Sequence, residues 1–204
     1  KKADLEVPFK LEEYDKIIHE DTTIYRVYNL NERLDQGART SYFHHSLGGY
    51  HGAKLGKYQD LIDSHLNKGN MNVINMLNTK YIIIPDKNQT PIVQQNNEAL
   101  GNAWLVDSVQ CVNNDNEALD QLNLFNPKNT VIINKQYKEK FNNENIDLDG
   151  SIELITYLPN RLVYSISSKT SSLVVFSEIF YPNGWRAYID GDLVEHFPVN
   201  YLLR

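Results

Sequence analysis

Three histidines, His44, His45 and His51, lie within eight residues in a stretch rich in small and aromatic side chains, at positions 37–52. Imidazole nitrogens are common ligands of zinc and copper ions. However, the side chains of adjacent residues such as His44 and His45 usually point in different directions. No cysteine and no H-E-x-x-H spacing accompanies these histidines. The pattern therefore favours a hydrogen-bonded loop over a metal site.

The glycine-rich residues 48–54 of the same loop superficially resemble a phosphate-binding loop. They lack the spacing of that motif, G-x-x-x-x-G-K-[ST], and the strand that must precede it. Phosphate binding is therefore not predicted. We expect instead that Gly48, Gly49 and Gly52 adopt backbone conformations that other residues would strain.

A binding surface is a second interpretation of this loop. Loops held on a rigid scaffold often carry binding residues, and histidine and tyrosine can each stack on a sugar and hydrogen-bond to it. The alternative is a structural loop whose imidazoles satisfy nearby backbone groups. The candidate ligand-binding residues of the chain are His44, His45, Tyr50, His51 and Trp185.

Trp185 belongs to an aromatic set in the last quarter of the chain. The set consists of Tyr181, Trp185, Tyr188 and Tyr201. Such rings could stack on sugars if they are exposed. They more often fill the core of a β-sandwich, because aromatic side chains dominate the burial of apolar surface.

Acid–base or nucleophilic catalysis has no clear sequence signature. Asp60 and Asp63 fall on the same face of a predicted amphipathic helix. The usual solvent-exposed polar side of such a helix explains them without catalysis. Glu178 has apolar neighbours, although strand alternation can direct it outward. The chain has no G-x-S-x-G elbow, and its one cysteine, Cys111, lies in an apolar run typical of a buried thiol. The sequence therefore predicts no catalytic residue, and we expect no cofactor.

The elements that position these residues are mixed helices and strands in the first two thirds of the chain. Helices are predicted at residues 11–18, 55–66, 70–78 and 115–124 from periodicity and from capping asparagines. Strands are predicted at residues 23–28, 80–84, 91–95, 103–112 and 130–133. The run at 80–84 is apolar throughout, which favours an inner position in a sheet.

Beyond the polar residues 138–150, helical periodicity disappears and short strands follow one another. They are predicted at residues 152–157, 162–167, 173–180, 185–189 and 193–197. Asp190 and Gly191 fit a tight hairpin turn. We therefore predict an α+β protein, with a mixed α/β domain at residues 1–137 and an antiparallel β-sandwich domain at residues 138–204.

Composition narrows the class of protein. With 204 residues and 41% hydrophobic content the chain can bury a core, and its net charge of −6 argues against nucleic-acid binding. No stretch reaches the roughly 18 apolar residues of a membrane span, and the first residues do not resemble a signal peptide. The apolar end at Tyr201–Arg204 suggests that the chain is a piece of a longer protein and that the sandwich continues beyond it.

Two stretches carry a family resemblance. Residues 40–54 read TSYFHHSLGGYHGAK and are followed by YQDLI at 58–62 and NMLNTKY at 75–81; residues 177–191 read SEIFYPNGWRAYIDG. Together they resemble the C-terminal soluble region of YfhO-type bacterial membrane proteins, as found in the Bacteroidetes. These proteins resemble multi-pass GT-C glycosyltransferases.

The resemblance implies a domain on the periplasmic or outer face of the bacterial cytoplasmic membrane, beside a glycan-handling membrane core. Its expected partners are the transmembrane half of the same polypeptide and a glycan or lipid-linked sugar, with no nucleic acid. The catalytic carboxylates of that architecture lie in the transmembrane half, so the resemblance assigns none to this chain.

Three functions remain open from the sequence. The first is a non-catalytic domain that helps a membrane glycosyltransferase to bind or present its glycan or acceptor. The second is a structural or protein-interaction module of a membrane protein. The third, for which no catalytic constellation is legible, is a hydrolase of cell-wall glycans.

Overall fold

The computed structural model describes residues 8–140 and 148–204 of the chain. They form two compact units whose segments alternate along the sequence. The first unit comprises the residues up to Ala53 together with Thr79–Glu98, and the second comprises Lys54–Asn78 together with Ala99–Arg204. The domain division predicted between residues 137 and 138 lies within the second unit.

The first unit is built on a three-stranded sheet with the order β1-β2-β3. The strands are β1 (Arg26–Asn29), β2 (Thr79–Pro85) and β3 (Pro91–Gln95), and the helices of this unit are α1 (Glu13–His19) and α2 (Arg39–Phe43). β1 runs parallel to β2, whereas β3 returns antiparallel to β2. β2 thus has the inner position that its uninterrupted run of β-branched and aromatic residues predicts.

A cluster of apolar side chains joins α1 to this sheet. Ile18, Tyr25, Val27 and Ile83 are buried together. Burial of each such side chain contributes about 1.5–3 kcal/mol to folding. The Tyr25 hydroxyl also donates a 2.6 Å hydrogen bond to the Ile18 carbonyl oxygen, so the end of α1 is fixed to the chain that leads into β1.

Residues 45–47 run beside β1 and are fixed to it by backbone hydrogen bonds. The Val27 N–H donates to the His45 carbonyl at 2.8 Å, and the Leu47 N–H donates to the Val27 carbonyl at 3.0 Å. The prediction that residues 37–52 form a loop throughout is wrong for α2. There the backbone closes helical bonds, such as the one from the His44 N–H to the Thr40 carbonyl at 2.9 Å.

Three α-helices of the second unit precede or separate its first strands. They are α3 (Gly56–Ser64), α4 (Met71–Met76) and α5 (Asp115–Gln121), with 3₁₀ segments at Leu66–Lys68 and Lys135–Lys140. The Asn70 side chain accepts hydrogen bonds from two N–H groups in the first turn of α4, and Asn114 accepts one from Glu117 in α5. These caps confirm the predicted starts of both helices.

The second unit contains eight strands among the described residues, in several small sheets. They are β4 (Ala103–Val106), β5 (Ser108–Val112), β6 (Thr130–Asn134), β7 (Ser151–Leu158), β8 (Arg161–Ser167), β9 (Leu173–Phe176), β10 (Ala187–Ile189) and β11 (Asp192–Val194). β5 pairs in parallel with β6; the pairs β4–β9, β7–β8 and β10–β11 are antiparallel.

The prediction of one strand at residues 103–112 is wrong. Asp107 separates β4 from β5, which belong to different sheets. The N–H groups of Asp107 and Ser108 both donate to the Asn129 carbonyl, which turns the backbone between the two strands. The hydrophobic pattern continues through this turn because both strands bury side chains.

The α+β class is confirmed at the level of its elements, since helices and small sheets occur together. The predicted hairpin turn is also confirmed, because Asp190 and Gly191 have φ values of 52° and 97° between β10 and β11. The strands of residues 151–194 form separate two-stranded pairs, and their packing as a sandwich stays a prediction.

The three loop glycines differ in their structural constraints. A Cβ at position 48 would lie 2.8 Å from the Leu34 carbonyl oxygen, and Gly49 has a φ of +140°. Gly52 has neither constraint, so its predicted strain is wrong. We expect Gly48→Ala to lower the free energy of unfolding by about 1–3 kcal/mol, as overpacking usually does. This change can be measured by urea unfolding, with circular dichroism as the signal.

Gly52→Ala is the matched control, with an expected change of at most about 0.5 kcal/mol. Equal midpoints for Gly48→Ala and the unmodified chain would show that the loop moves away from Leu34 without cost.

Candidate functional site

Three of the candidate binding residues lie on the exposed side of the loop in the first unit. Tyr50 is 77% exposed, and the side chains of His45 and His51 are exposed too. The loop backbone is nevertheless ordered by local bonds. The Tyr50 N–H donates to the Gly37 carbonyl at 3.2 Å, and His51 Nδ1 accepts from the Ala53 N–H at 3.1 Å. The loop therefore presents an aromatic ring from a constrained backbone.

His44, the fourth candidate in the loop, is turned inward. Its side chain is only 3% exposed, and its Nε2 lies 2.9 Å from Oδ1 of Asp15 in α1. Its ring also packs against the His19 ring, with 4.8 Å between centroids. Adjacent His44 and His45 thus point in different directions, as the sequence predicted.

Asp15 is a fully buried carboxylate that joins three parts of the first unit. It accepts hydrogen bonds from both terminal nitrogens of Arg39, the closer of which is Nη2, and from His44. The Glu12 N–H at the start of α1 donates to it at 2.9 Å. Burial alone would raise the pKa of Asp15, but these hydrogen bonds outweigh burial and hold its pKa below the usual value.

Arg39 is the cation of this cluster. Its guanidinium lies over the rings of Tyr14 and Phe43, at 4.9 Å and 5.1 Å from their centroids, and donates to the Lys10 carbonyl at 3.0 Å. Such stacking shields the ion pair with Asp15 from water. The Asp15–Arg39 pair therefore fastens the start of α1 to α2.

Burial lowers the pKa of His44, and this effect exceeds the opposing attraction of Asp15. The attraction of Asp15 is weakened because Arg39 already compensates its charge. At neutral pH His44 is then a neutral imidazole whose Nε2–H donates to Asp15. An Asp–His pair can serve acid–base chemistry when it activates a nucleophile. In the described ranges His44 is bonded to Asp15 and packed against His19, and no hydroxyl or thiol hydrogen-bonds to it.

Trp185 belongs to the second unit and is half-buried. The Arg204 guanidinium lies 4.4 Å from its ring centroid, so one face of the indole is occupied. Burial lowers the pKa of Arg204, against the attraction of Glu178. Of the other predicted aromatic residues, Tyr201 is buried and donates to Asp60 at 2.7 Å, whereas Tyr181 and Tyr188 are exposed.

A small cavity beside the loop is lined partly by residues that the sequence did not indicate as functional. It has a volume of about 10 Å³ and is lined by Asn29, Glu32, Gly37, Ser46, Gly48 and Gly49, among others. That volume is near the lower limit for one water-sized group. Ser46, Gly48 and Gly49 lie in the motif at residues 40–54, whereas Asn29 and Glu32 carried no sequence signal. These two polar residues are spaced too irregularly to form a motif.

The described part of the chain shows neither a cluster of metal ligands nor a helix suited to span a membrane. Residues 8–140 and 148–204 contain no group of three or more His, Cys, Asp or Glu side chains placed to hold a metal ion. Over the same ranges, none of the helices has the length and apolar character that crossing a bilayer requires.

Comparison with known proteins gives no relative: no family model, curated protein or solved structure matches the chain. Its functional assignment therefore depends on the residues themselves. The resemblance to YfhO-type proteins therefore stays a prediction from the two sequence motifs.

Replacement of Asp15 by Asn should destabilise the first unit strongly. The substitution leaves the Arg39 charge partly buried without its counter-ion, which typically costs about 3–5 kcal/mol. Glu13→Gln is the matched control, because Glu13 forms an exposed ion pair with Lys16 and its loss should cost less than about 0.5 kcal/mol. Chemical unfolding of both variants tests the difference, and equal losses would contradict a structural role for Asp15.

Stability should also fall as the pH drops below about 6.5, the pKa of an unperturbed histidine. The folded-state pKa of His44 is depressed, so the unfolded chain binds the proton first and stability is lost on acidification. We expect His44→Gln to weaken this dependence between pH 7.5 and 5, as measured by thermal unfolding. If the stability of His44→Gln changed with pH as steeply as that of the unmodified chain, the assignment of this pH dependence to His44 would be wrong. The exposed His51→Gln serves as control.

Proposed function

We propose that this chain is the water-exposed, extracytoplasmic part of a YfhO-type membrane protein, and that it binds or presents glycan for the membrane core without catalysing a reaction itself. The observation that carries the proposal is the exposure of Tyr50 on a loop tied to β1 and to Gly37 by backbone hydrogen bonds. The motifs at residues 40–54 and 177–191 support the family assignment.

An exposed tyrosine on a constrained backbone is well suited to bind a sugar ring. Its apolar face stacks on the ring, its hydroxyl forms hydrogen bonds, and little conformational entropy is lost because the loop is already ordered. His45 and His51 add exposed polar groups within the same loop. The proposal therefore combines stacking and hydrogen bonding at one loop.

A hydrolase of cell-wall glycans has less support. Such an enzyme needs two accessible carboxyl groups across a cleft. In the first unit, the carboxylates with lowered pKa are Asp15 and Asp21, and each is held in an ion pair. Lys80 Nζ lies 2.5 Å from Asp21, and hydrogen bonds from Lys80, Thr23 and Tyr81 outweigh burial to lower the Asp21 pKa. Both carboxylates act as structural anchors.

A protein-interaction module is the second candidate. Tyr188, Ile189 and Leu193 on the β10–β11 hairpin are exposed, Leu193 by 66%. Two-stranded ribbons are marginally stable alone, and exposed apolar clusters mark interaction surfaces. The partner would be the transmembrane half of the same polypeptide. We further propose the sandwich packing of the C-terminal strands, which the alternating exposure along β7 supports.

The double substitution His45→Ala and His51→Ala tests the glycan-binding function. We expect it to change the free energy of unfolding by at most about 0.5 kcal/mol, as for ordinary surface substitutions. Glycan processing by the intact membrane protein should fall. Circular dichroism and an in-membrane glycan assay measure the two effects, and Tyr50→Ala should behave in the same way.

Tyr188→Ala separates the two candidates, because it removes an exposed tyrosine from the hairpin and leaves the loop intact. Under the glycan-binding function it preserves glycan processing. If Tyr188→Ala abolishes processing and the loop substitutions do not, the interaction module is the better assignment. A stability loss of several kcal/mol in the histidine double variant, with normal activity per folded molecule, would show that the loop is structural.

A further inference from the structure

The cavity beside the loop is built around an oriented carboxylate. Glu32 Oε2 accepts hydrogen bonds from the Thr40 hydroxyl at 2.6 Å and from the Thr40 N–H at 3.1 Å. The Asn29 amide in turn donates to the Thr40 hydroxyl at 2.9 Å. Asn29 and Thr40 are buried, so this chain of bonds fixes the direction of the carboxylate.

Two residues of the cavity lining, Glu32 and Ser46, each keep a hydrogen-bonding atom that the described residues leave unused. Both bonds to Glu32 fall on Oε2, so none from residues 8–140 or 148–204 reaches Oε1. Ser46 Oγ accepts from the Gly48 N–H at 3.0 Å, and within the same ranges its hydroxyl hydrogen has no acceptor. The cavity thus offers one acceptor and one donor, which matches a single hydroxyl group.

The charge of the cavity selects against anions. Glu32 brings a carboxylate, while the nearby cation, Arg33, is engaged by Asp35 through bonds of 3.1 Å and 2.9 Å. An anionic ligand would therefore meet the Glu32 charge, while Arg33 in the cavity lining is already paired with Asp35. A neutral hydroxyl would meet complementary groups.

The cavity adjoins the backbone of Tyr50, the residue with the exposed aromatic ring. Gly49 lines the cavity and Tyr50 follows it, with its N–H bonded to the carbonyl of Gly37, another lining residue. A Cβ at position 37 would lie 2.9 Å from Glu32 Cβ and 3.0 Å from Glu32 Oε2, so this wall favours glycine. Side chains at Gly37 and Gly48 would crowd the same space.

We propose that this cavity takes one hydroxyl group of an uncharged sugar whose ring stacks on Tyr50. The hydroxyl donates to Glu32 Oε1 and accepts from the Ser46 hydroxyl. This inference rests on the glycan-binding function proposed above. It adds the class of ligand, which is a neutral saccharide, and the two residues that hydrogen-bond to its hydroxyl group.

The test is a titration of the 204-residue chain, followed by NMR chemical shifts, with methyl glycosides of glucose, galactose, mannose and N-acetylglucosamine and with methyl glucuronoside. At least one neutral glycoside should bind, and the glucuronoside should bind more weakly. Ser46→Ala removes the donor. In Glu32→Gln the amide oxygen can still accept the hydrogen bonds from Thr40, but an NH₂ donor replaces the second carboxylate oxygen. We expect each to weaken binding about tenfold.

Glu20→Gln, an exposed change in the same unit, is the charge-matched control and should bind like the unmodified chain. Amide spectra of each variant establish that it is folded. If Tyr50→Ala weakens binding but folded Glu32→Gln and Ser46→Ala bind normally, the cavity inference is overturned and the proposed function stands. Preference for the glucuronoside overturns the inference in the same way. If no glycoside binds the unmodified chain, the proposed function itself fails.

Discussion

The buried carboxylate of Asp15 sets the arrangement of the first unit. A charge removed from water is tolerated only if hydrogen bonds and an opposite charge replace its hydration. Asp15 obtains them from the backbone at the start of α1, from Arg39 in α2 and from His44 at the end of α2. Arg39 and His44 lie 24 and 29 positions beyond Asp15 in the chain, so satisfying one carboxylate fixes both helices and the start of the loop together.

That fixed start determines what the loop can present. Because His44 is held inward by Asp15, the next residue faces out, and the backbone continues beside β1 through its bonds with Val27. Gly48 then passes close to Leu34, and Tyr50 emerges with its N–H bonded to Gly37. The exposed ring and the polar cavity are therefore consequences of a buried ion pair and two close backbone approaches.

In the second unit, asparagine side chains supply many of the bonds that regular structure leaves open. Asn70 caps α4 and also donates to the Leu122 carbonyl, and Asn72 donates to the Phe125 carbonyl. Asn200 is fully buried and pairs with both backbone groups of Ile132 through its own N–H and its side-chain oxygen. Small sheets leave many edge groups unpaired, and buried edge groups need such partners. The abundance of asparagine thus has a structural role here.

Local sequence was enough to predict the features that depend on neighbouring residues: the strand character of β2, the caps of α4 and α5, and the turn at Asp190 and Gly191. These follow from side-chain branching, local hydrogen bonds and positive φ values, all of which act within a few positions. Four features became visible only in the folded chain: the alternation of the two units along the sequence, the separation of β4 from β5, the inward turn of His44 towards Asp15, and the cavity of Glu32 and Ser46. Those features join residues up to tens of positions apart, and their partners are selected by the need to satisfy buried charges and backbone groups, which no local pattern encodes.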